Sequence, residues 1–265
     1  MLFSSFEFLF RFLPVFLVIY YLTPKKFRNV TLLGGSIVFY TIGEAGYITI
    51  LLACVLVNYT LTRLMYRKST DGRGIRQKRL LLLALGYDLG VLFFFKYSGL
   101  ASGLPLGISF YTFQQLAYLI DRCRGDAPRD SFFDYLTFMV YFPQLLQGPI
   151  LLRSEFMGQL KEPERRRFHA GRFSEGIQFF VFGLAKKVLL ADTLAKAVNY
   201  GYSNVSMLDS ISALLLAAGY LTELYFDFSG YCDMAVGLGK MIGLEVAENF
   251  DAPFHSASVK EFWRR

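Results

Sequence analysis

The stretch Tyr225–Lys240, YFDFSGYCDMAVGLGK, sets two carboxylates, Asp227 and Asp233, among apolar residues and glycines. Ionisable groups beside such runs are costly at membrane depth and usually face a cavity, a pathway or a partner. On a functional reading, Asp227, Ser229, Tyr231 and Asp233 line a polar cavity. On a structural reading, the carboxylates cap broken helices or pair with Lys186, Lys187 or Lys240. Residue types alone leave both open. Two more stretches mix amides and hydroxyls into apolar sequence. Leu104–Gln115 carries Gln114 and Gln115, and Phe142–Pro149 carries Gln144, Gln147 and Gly148-Pro149. Such side chains either bond neighbouring membrane helices or line a lumen.

Other chemistries fall away. Gly237, Gly239 and Gly243 are spaced GxGxxxG, not the GxGxxG of a dinucleotide site, and no P-loop precedes Lys240. These small residues read as points of close helix approach. His169 lies in a basic loop and His255 in a polar tail, so no Ser-His-Asp, Cys-His or HExxH grouping can be assembled. Cys54, Cys123 and Cys232 are far apart and form no CxxC pair. Neither a metal nor a cofactor is expected.

The elements that must hold these residues are membrane helices. Hydrophobic residues make up 54% of the 265, and charged residues 18%, against about 25% charged in soluble domains. Ala45–Thr62, Tyr97–Ile120, Tyr135–Leu152 and Asn29–Gly43 carry no charge, and Leu80–Phe95 is interrupted only by Asp88. A bilayer core needs about 20 apolar residues, and so many runs leave too little polar sequence to cover them as buried helices of a soluble protein. Leu2–Leu22 lacks a basic leader and a small-residue cleavage site, so it reads as a retained first membrane helix.

Loop charges order the crossings. Thr23–Asn29, Arg63–Arg79 and Asp121–Ser131 are basic, while Gly43–Gly46 and the loop at Lys96 are nearly uncharged. The positive-inside rule then puts the N-terminus outside and the basic loops in the cytoplasm. The net charge of +7 is therefore a topology signal and not one for nucleic acid. Phe132–Leu152 breaks the alternation, because Arg153–Arg172 after it is basic again. With Pro143 and Gly148-Pro149 inside it, this segment is expected to dip in and return. Ser174–Ala191 crosses outward and Ser210–Phe226 crosses back. Asp227–Leu244, glycine-rich and half polar, is expected to be a second broken element. Glu245–Arg265 is expected to be interfacial. The resulting expectation is an all-α, multi-pass transmembrane protein with about seven crossings and two re-entrant or broken segments. It forms a single membrane domain over 1–265.

Eight segments together resemble the membrane-bound O-acyltransferase family. They are MLFSSFEFLF at the start, LPLGISFYTFQ (Leu104–Gln114), YLIDRCRG (Tyr118–Gly125), FPQLLQGPI (Phe142–Ile150) and GLAKKVLLADTLA (Gly183–Ala195). YFDFSGYCDMAVGLGKMIGL (Tyr225–Leu244), ENFDAPF (Glu248–Phe254) and EFWRR (Glu261–Arg265) complete the set. The likeness is greatest to the bacterial alginate O-acetyltransferase branch, with Gram-positive D-alanyl transfer proteins more distant.

The resemblance implies a funnel and tunnel meeting near the bilayer midplane of the cytoplasmic membrane. It implies acyl transfer, usually acetyl, from a cytoplasmic donor to hydroxyls of a surface polysaccharide. The donor would be acetyl-CoA, a carrier-protein thioester or a lipid-linked acyl group, with further periplasmic or membrane partners. Gln114, Gln144, Pro149, Asp227, Ser229, Tyr231, Asp233 and Asn249 become the candidate lining. The family's histidine falls beyond Arg265, so no catalytic residue is carried over. The chain is expected to be an N-terminal portion, inactive alone. The loop Lys96–Gly103 is also shorter than is usual between its flanking motifs. A non-enzymatic membrane scaffold or truncated pseudo-enzyme is the competing expectation. A transporter would show an inverted repeat, and none is evident.

Overall fold

A computed structural model describes residues 1–65, 73–101, 103–124, 130–149 and 151–265. Parts of the basic loops Arg63–Arg79 and Asp121–Ser131 therefore lie outside the described residues, as do Ser102, Gly125 and Ile150. Among the described residues every regular element is helical. They pack as two units, Met1 with Arg11–Arg167, and Leu2–Phe10 with Phe168–Arg265.

In the first unit, α1 (Leu13–Leu22) follows a π-helical turn at Phe8–Phe12. It stops where Thr23 turns to extended backbone ahead of Pro24, a residue pair that cannot continue a helix. α2 (Arg28–Glu44) and α3 (Ile48–Met65) are separated by a sharp break at Glu44, at φ −163° and ψ 81°. α4 (Arg73–Tyr97) and α5 (Ile108–Arg124) complete the long helices of this unit. Three helical stretches among the described residues are long and apolar enough to cross a membrane: Lys25–Met65, Ile75–Tyr97 and Ser210–Ile242. Their outward faces are apolar. Val30, Val38, Leu56, Leu82, Leu83 and Phe93 are all exposed, while Leu32, Phe39, Leu51, Val55 and Ala84 are buried. Exposed apolar patches on this scale mark contact with lipid or protein.

The segment after residue 131 is broken as its prolines and glycine require. α6 (Phe132–Met139) ends at Val140, the single turn α7 (Phe142–Leu145) follows, and α8 (Arg153–Leu160) begins after Leu152. Ser131 caps α6, its hydroxyl accepting the Asp134 N–H at 3.1 Å. Non-helical backbone buried inside a protein must find partners there, and here it does. The Phe142 N–H donates to Ser36 Oγ of α2 at 3.2 Å, and the Phe142 ring packs among Phe12, Phe16 and Phe39. Gly107, at φ 72°, starts α5 directly against the Leu145 carbonyl, where a Cβ has no room.

Both ends of this segment are tied to each other. Arg153, just after it, makes a two-pronged pair with Asp130, just before it, with Nε to Oδ2 and Nη2 to Oδ1 both at 2.6 Å. The side chains are 7% and 0% exposed. Tyr118 of α5 donates to the same carboxylate at 3.0 Å. The pair brings the two ends of Phe132–Leu152 together.

In the second unit, α9 (Ala170–Ala185) runs through a π-helical stretch, Lys186–Ala191, into α10 (Asp192–Ser203). His169 caps α9 by accepting the Arg172 N–H at 3.4 Å. Asp209 caps α11 (Ser210–Ile242) by accepting the Ser212 N–H at 2.9 Å. α11 is one continuous helix of 33 residues. The expected second break at Asp227–Leu244 is therefore wrong, and the helix ends only at Gly243, with φ 81°. The glycines serve packing instead. Gly183 faces Gly230, and Gly176 faces Gly237, one heptad further along each antiparallel helix. A Cβ on Gly183 would lie 2.5 Å from the Gly230 carbonyl, and one on Gly237 would lie 2.5 Å from the Gly176 carbonyl. The backbones of α9 and α11 thus touch as membrane helices with small residues do. The tail ends in α12 (Val259–Arg264), capped by Ser258 and exposed along its length at Val259 and Trp263.

Candidate functional site

The polar residues of the second unit converge where the π-helical stretch faces α11. A π-turn adds a residue to the helical repeat and often marks a functional position. Here it presents two successive lysines to two acids six positions apart. Lys186 Nζ lies 2.5 Å from Asp233 Oδ2 and 3.0 Å from Ser229 Oγ. Lys187 Nζ lies 2.5 Å from Asp227 Oδ1 and 2.8 Å from Asp192 Oδ1. The carboxylates of Asp227 and Asp233 are thus paired, and the Ser229 hydroxyl is held between α11 and the π-stretch. Lys240 pairs elsewhere, with Glu175 at 2.5 Å, beside the Phe179 ring. Tyr231 turns away from the lysines and stacks on Phe3 with centroids 4.6 Å apart. Asn249, in the extended chain after α11, hydrogen-bonds the Cys232 thiol.

Measured polar contacts between membrane helices average about 0.6 kcal/mol. Lys187→Met is expected to lower stability by about 1 kcal/mol, because two acids lose their cation. Adding Asp227→Leu should recover part of that loss, as read from thermal unfolding of the four members of a double-mutant cycle in detergent.

The other candidates belong to the first unit. Gln114 is buried on α5 and donates from Nε2 to the Leu151 carbonyl at 2.9 Å, tying α5 to the chain just before α8. Gln144 is buried on α7, and Pro149 is buried on the return. The Oε1 atoms of both glutamines are buried with no donor among the described residues. Buried acceptors without a donor are uncommon and call for a reason.

Sequence reasoning missed a polar junction of three helices. Asn58 Nδ2 on α3 lies 2.7 Å from Asp88 Oδ1 on α4 and 2.6 Å from Gln115 Oε1 on α5. All three residues are almost fully buried. The signal was present, since Asp88 is the one charge inside its apolar run. What the sequence hid was its partner, Asn58, a lone Asn in the uncharged run Ala45–Thr62. The Asp130–Arg153 clasp was also unread. Burial works against the Arg153 charge, but the hydrogen bond and charge of Asp130 outweigh it and raise the guanidinium pKa above its ordinary value. Among the described residues no three or more His, Cys, Asp or Glu side chains gather as a metal site.

Comparison with known proteins now places the chain. Residues 37–265 match the profile of the membrane-bound O-acyltransferase family. The chain is 38% identical to a probable alginate O-acetylase of Pseudomonas putida, over 100% of its own length and 58% of that protein's. It is 32% identical to a peptidoglycan O-acetyltransferase of Helicobacter pylori, with the same two coverages. A teichoic acid D-alanyltransferase of Bacillus subtilis is 27% identical over 60% of this chain and 41% of its own. The chain spans just over half the length of the first two relatives. With a profile match over most of its residues, it belongs to the membrane-bound O-acyltransferase family.

Proposed function

We propose that this chain forms part of an O-acyltransferase of the cytoplasmic membrane. It moves an acyl group, acetyl in the first instance, from a cytoplasmic thioester donor to hydroxyls of a cell-surface polysaccharide. Membership of the family carries this reading, and the relatives named for O-acetyl transfer narrow it. The hydroxyl oxygen attacks the thioester carbonyl, its proton passes to a base, and the thiol leaves with a proton. A base contributes typically about 10²–10⁴ in rate, and donors at the oxyanion contribute more. The amides of Gln114 and Gln144, and Asp227, Ser229, Tyr231, Asp233 and Asn249, are proposed as polar lining for the reactants. Pro149 shapes the return of the re-entrant segment.

The arrangement in the bilayer is part of the proposal. The N-terminus lies outside, and α1 to α5 cross five times. Phe132–Leu152 dips in from the cytoplasm and returns, and α9 and α11 add the last two of seven crossings. The basic loops support this orientation, and the clasp between Asp130 and Arg153 supports the return.

The test is a labelled-donor assay in proteoliposomes. Radiolabelled acetyl-CoA is supplied with alginate, peptidoglycan fragments or no acceptor. Acceptor-dependent release of free thiol and label on an O-ester is the expected result for a full-length relative whose matched part is replaced by this chain. An absence of transfer from acetyl-CoA and from carrier-protein thioesters, by a protein shown to be folded, would favour the scaffold reading instead.

A further inference from the structure

Two arginines of the first unit are buried side by side with no acid paired to them among the described residues. Arg28 is 7% exposed and Arg166 2%. They stand where two short 3-10 turns meet, Lys25–Phe27 directly after α1 and Pro163–Arg166 after α8. Arg28 donates to the Thr23 and Tyr21 carbonyls, each at 3.2 Å, and to the Arg166 carbonyl. Its guanidinium also lies over the Tyr20 and Tyr21 rings. Arg166 donates to Asn29 Oδ1, and to the Leu160 carbonyl at 3.0 Å. The Tyr20 phenol is a further polar neighbour.

These carbonyls satisfy individual N–H groups but neutralise neither charge. Neither guanidinium has a carboxylate among the described ion pairs. The Arg166 Nε is fully buried with no acceptor among the described residues. Like charges taken out of water together are expensive unless an anion compensates them. Burial, and then the Arg28 charge, work to lower the Arg166 pKa, with Tyr20 opposing them. The sequence around them adds to the excess. Lys25, Lys26, Arg165 and Arg167 flank the pair, against Glu162 and Glu164.

We propose that Arg28 and Arg166 form the base of a phosphate-binding site between the two 3-10 turns, taking the phosphate of an anionic lipid headgroup or of a soluble phosphate ester. Guanidinium is the side chain best matched to phosphate, through paired charge-assisted hydrogen bonds. Basic pockets beside the ends of membrane helices bind such headgroups, and α1 ends directly at this turn. The rim already holds one anion. Glu164 accepts from Lys25 at 2.7 Å through both oxygens and lies 3.6 Å from Arg167. Its side chain is 70% exposed, so this pair is screened and opens readily. Glu164 is therefore the competitor an incoming phosphate displaces. Placement on the cytoplasmic leaflet rests on the orientation proposed above, whereas the site itself does not.

The experiment compares thermal unfolding of the full chain in three kinds of nanodisc. One is phosphatidylcholine alone, one contains phosphatidylglycerol, and one has matched negative charge from a fatty acid. Inorganic phosphate and pyrophosphate are titrated into the first. Stabilisation by phosphatidylglycerol beyond the fatty acid assigns a lipid source, and stabilisation by pyrophosphate assigns a soluble one. Arg166→Gln is expected to weaken the effective ligand by about tenfold. If that variant does not fold, Glu164→Gln decides, because it leaves both buried arginines in place. It should raise the affinity. Equal stabilisation by the fatty acid and the phospholipid with no response to pyrophosphate, or an unchanged affinity in Glu164→Gln, would overturn the proposal.

Discussion

Replacing Asp130 with alanine should destabilise the protein by about 3–5 kcal/mol, the usual cost of stranding one partner of a buried ion pair. Arg153 would keep its charge at 7% side-chain exposure after losing both hydrogen bonds to the Asp130 carboxylate. Among the described residues Lys161 also lies near that carboxylate, at 3.9 Å and half exposed, which gives Arg153 no relief. The loss should appear as a lower unfolding temperature in detergent and as new protease cleavage within Phe132–Leu152. The double replacement Asp130→Leu with Arg153→Met removes both charges and should recover most of the stability, because paired burial is itself only marginally favourable. It should not restore the protected state of the segment fully, since Tyr118 also loses its acceptor. A single alanine with no effect on stability would mean that the clasp contributes nothing to the return.

A second large effect is expected at the α9–α11 contact. Gly183→Leu should cost about 3 kcal/mol or more, the upper range of overpacking in a filled interior. The first added carbon would already lie 2.5 Å from the Gly230 carbonyl and 2.7 Å from the Met234 nitrogen. Those are backbone atoms of a continuous helix and have no rotamer by which to yield. Gly34 is the internal control. It sits exposed on α2, and a Cβ added there would meet nothing within 4 Å. Gly34→Ala should therefore be neutral or stabilising by about 0.5–1 kcal/mol through helix propensity. Parallel thermal unfolding of the two variants checks the contrast. Equal effects would place the glycines of α9 outside any tight contact.

These two sites show what a single sequence does and does not reveal. The apolar runs and the alternating basic loops identify the helices, because burying backbone in lipid permits little else. Pro143 and Gly148-Pro149 mark the break between α6, α7 and α8 before any contact is known. The clasp that holds it was not legible. It joins residues 23 positions apart, and each alone reads as an ordinary loop charge. Asp227–Leu244 misled for the opposite reason. Its glycines and acids look like helix breakers in isolation. Yet Gly230 and Gly237 each have a counterpart on α9, and each acid has a lysine in the π-stretch. Tertiary partners kept that helix whole. The same holds for the lining residues. Their polarity is visible in the sequence, while the lysines that pair with Asp227 and Asp233 depend on a π-turn that no local pattern announces.

The returning path of Phe132–Leu152 is the feature on which both the topology and the candidate lining depend. It is tested most directly by single cysteines at Ser131 and Ser154, in a background where Cys54, Cys123 and Cys232 are replaced by alanine. A membrane-impermeant maleimide is applied to sealed vesicles of known orientation, from one side and then the other. Labelling of both positions from the same, cytoplasmic, side is the expected result. Labelling from opposite sides would make the segment a full crossing and contradict it.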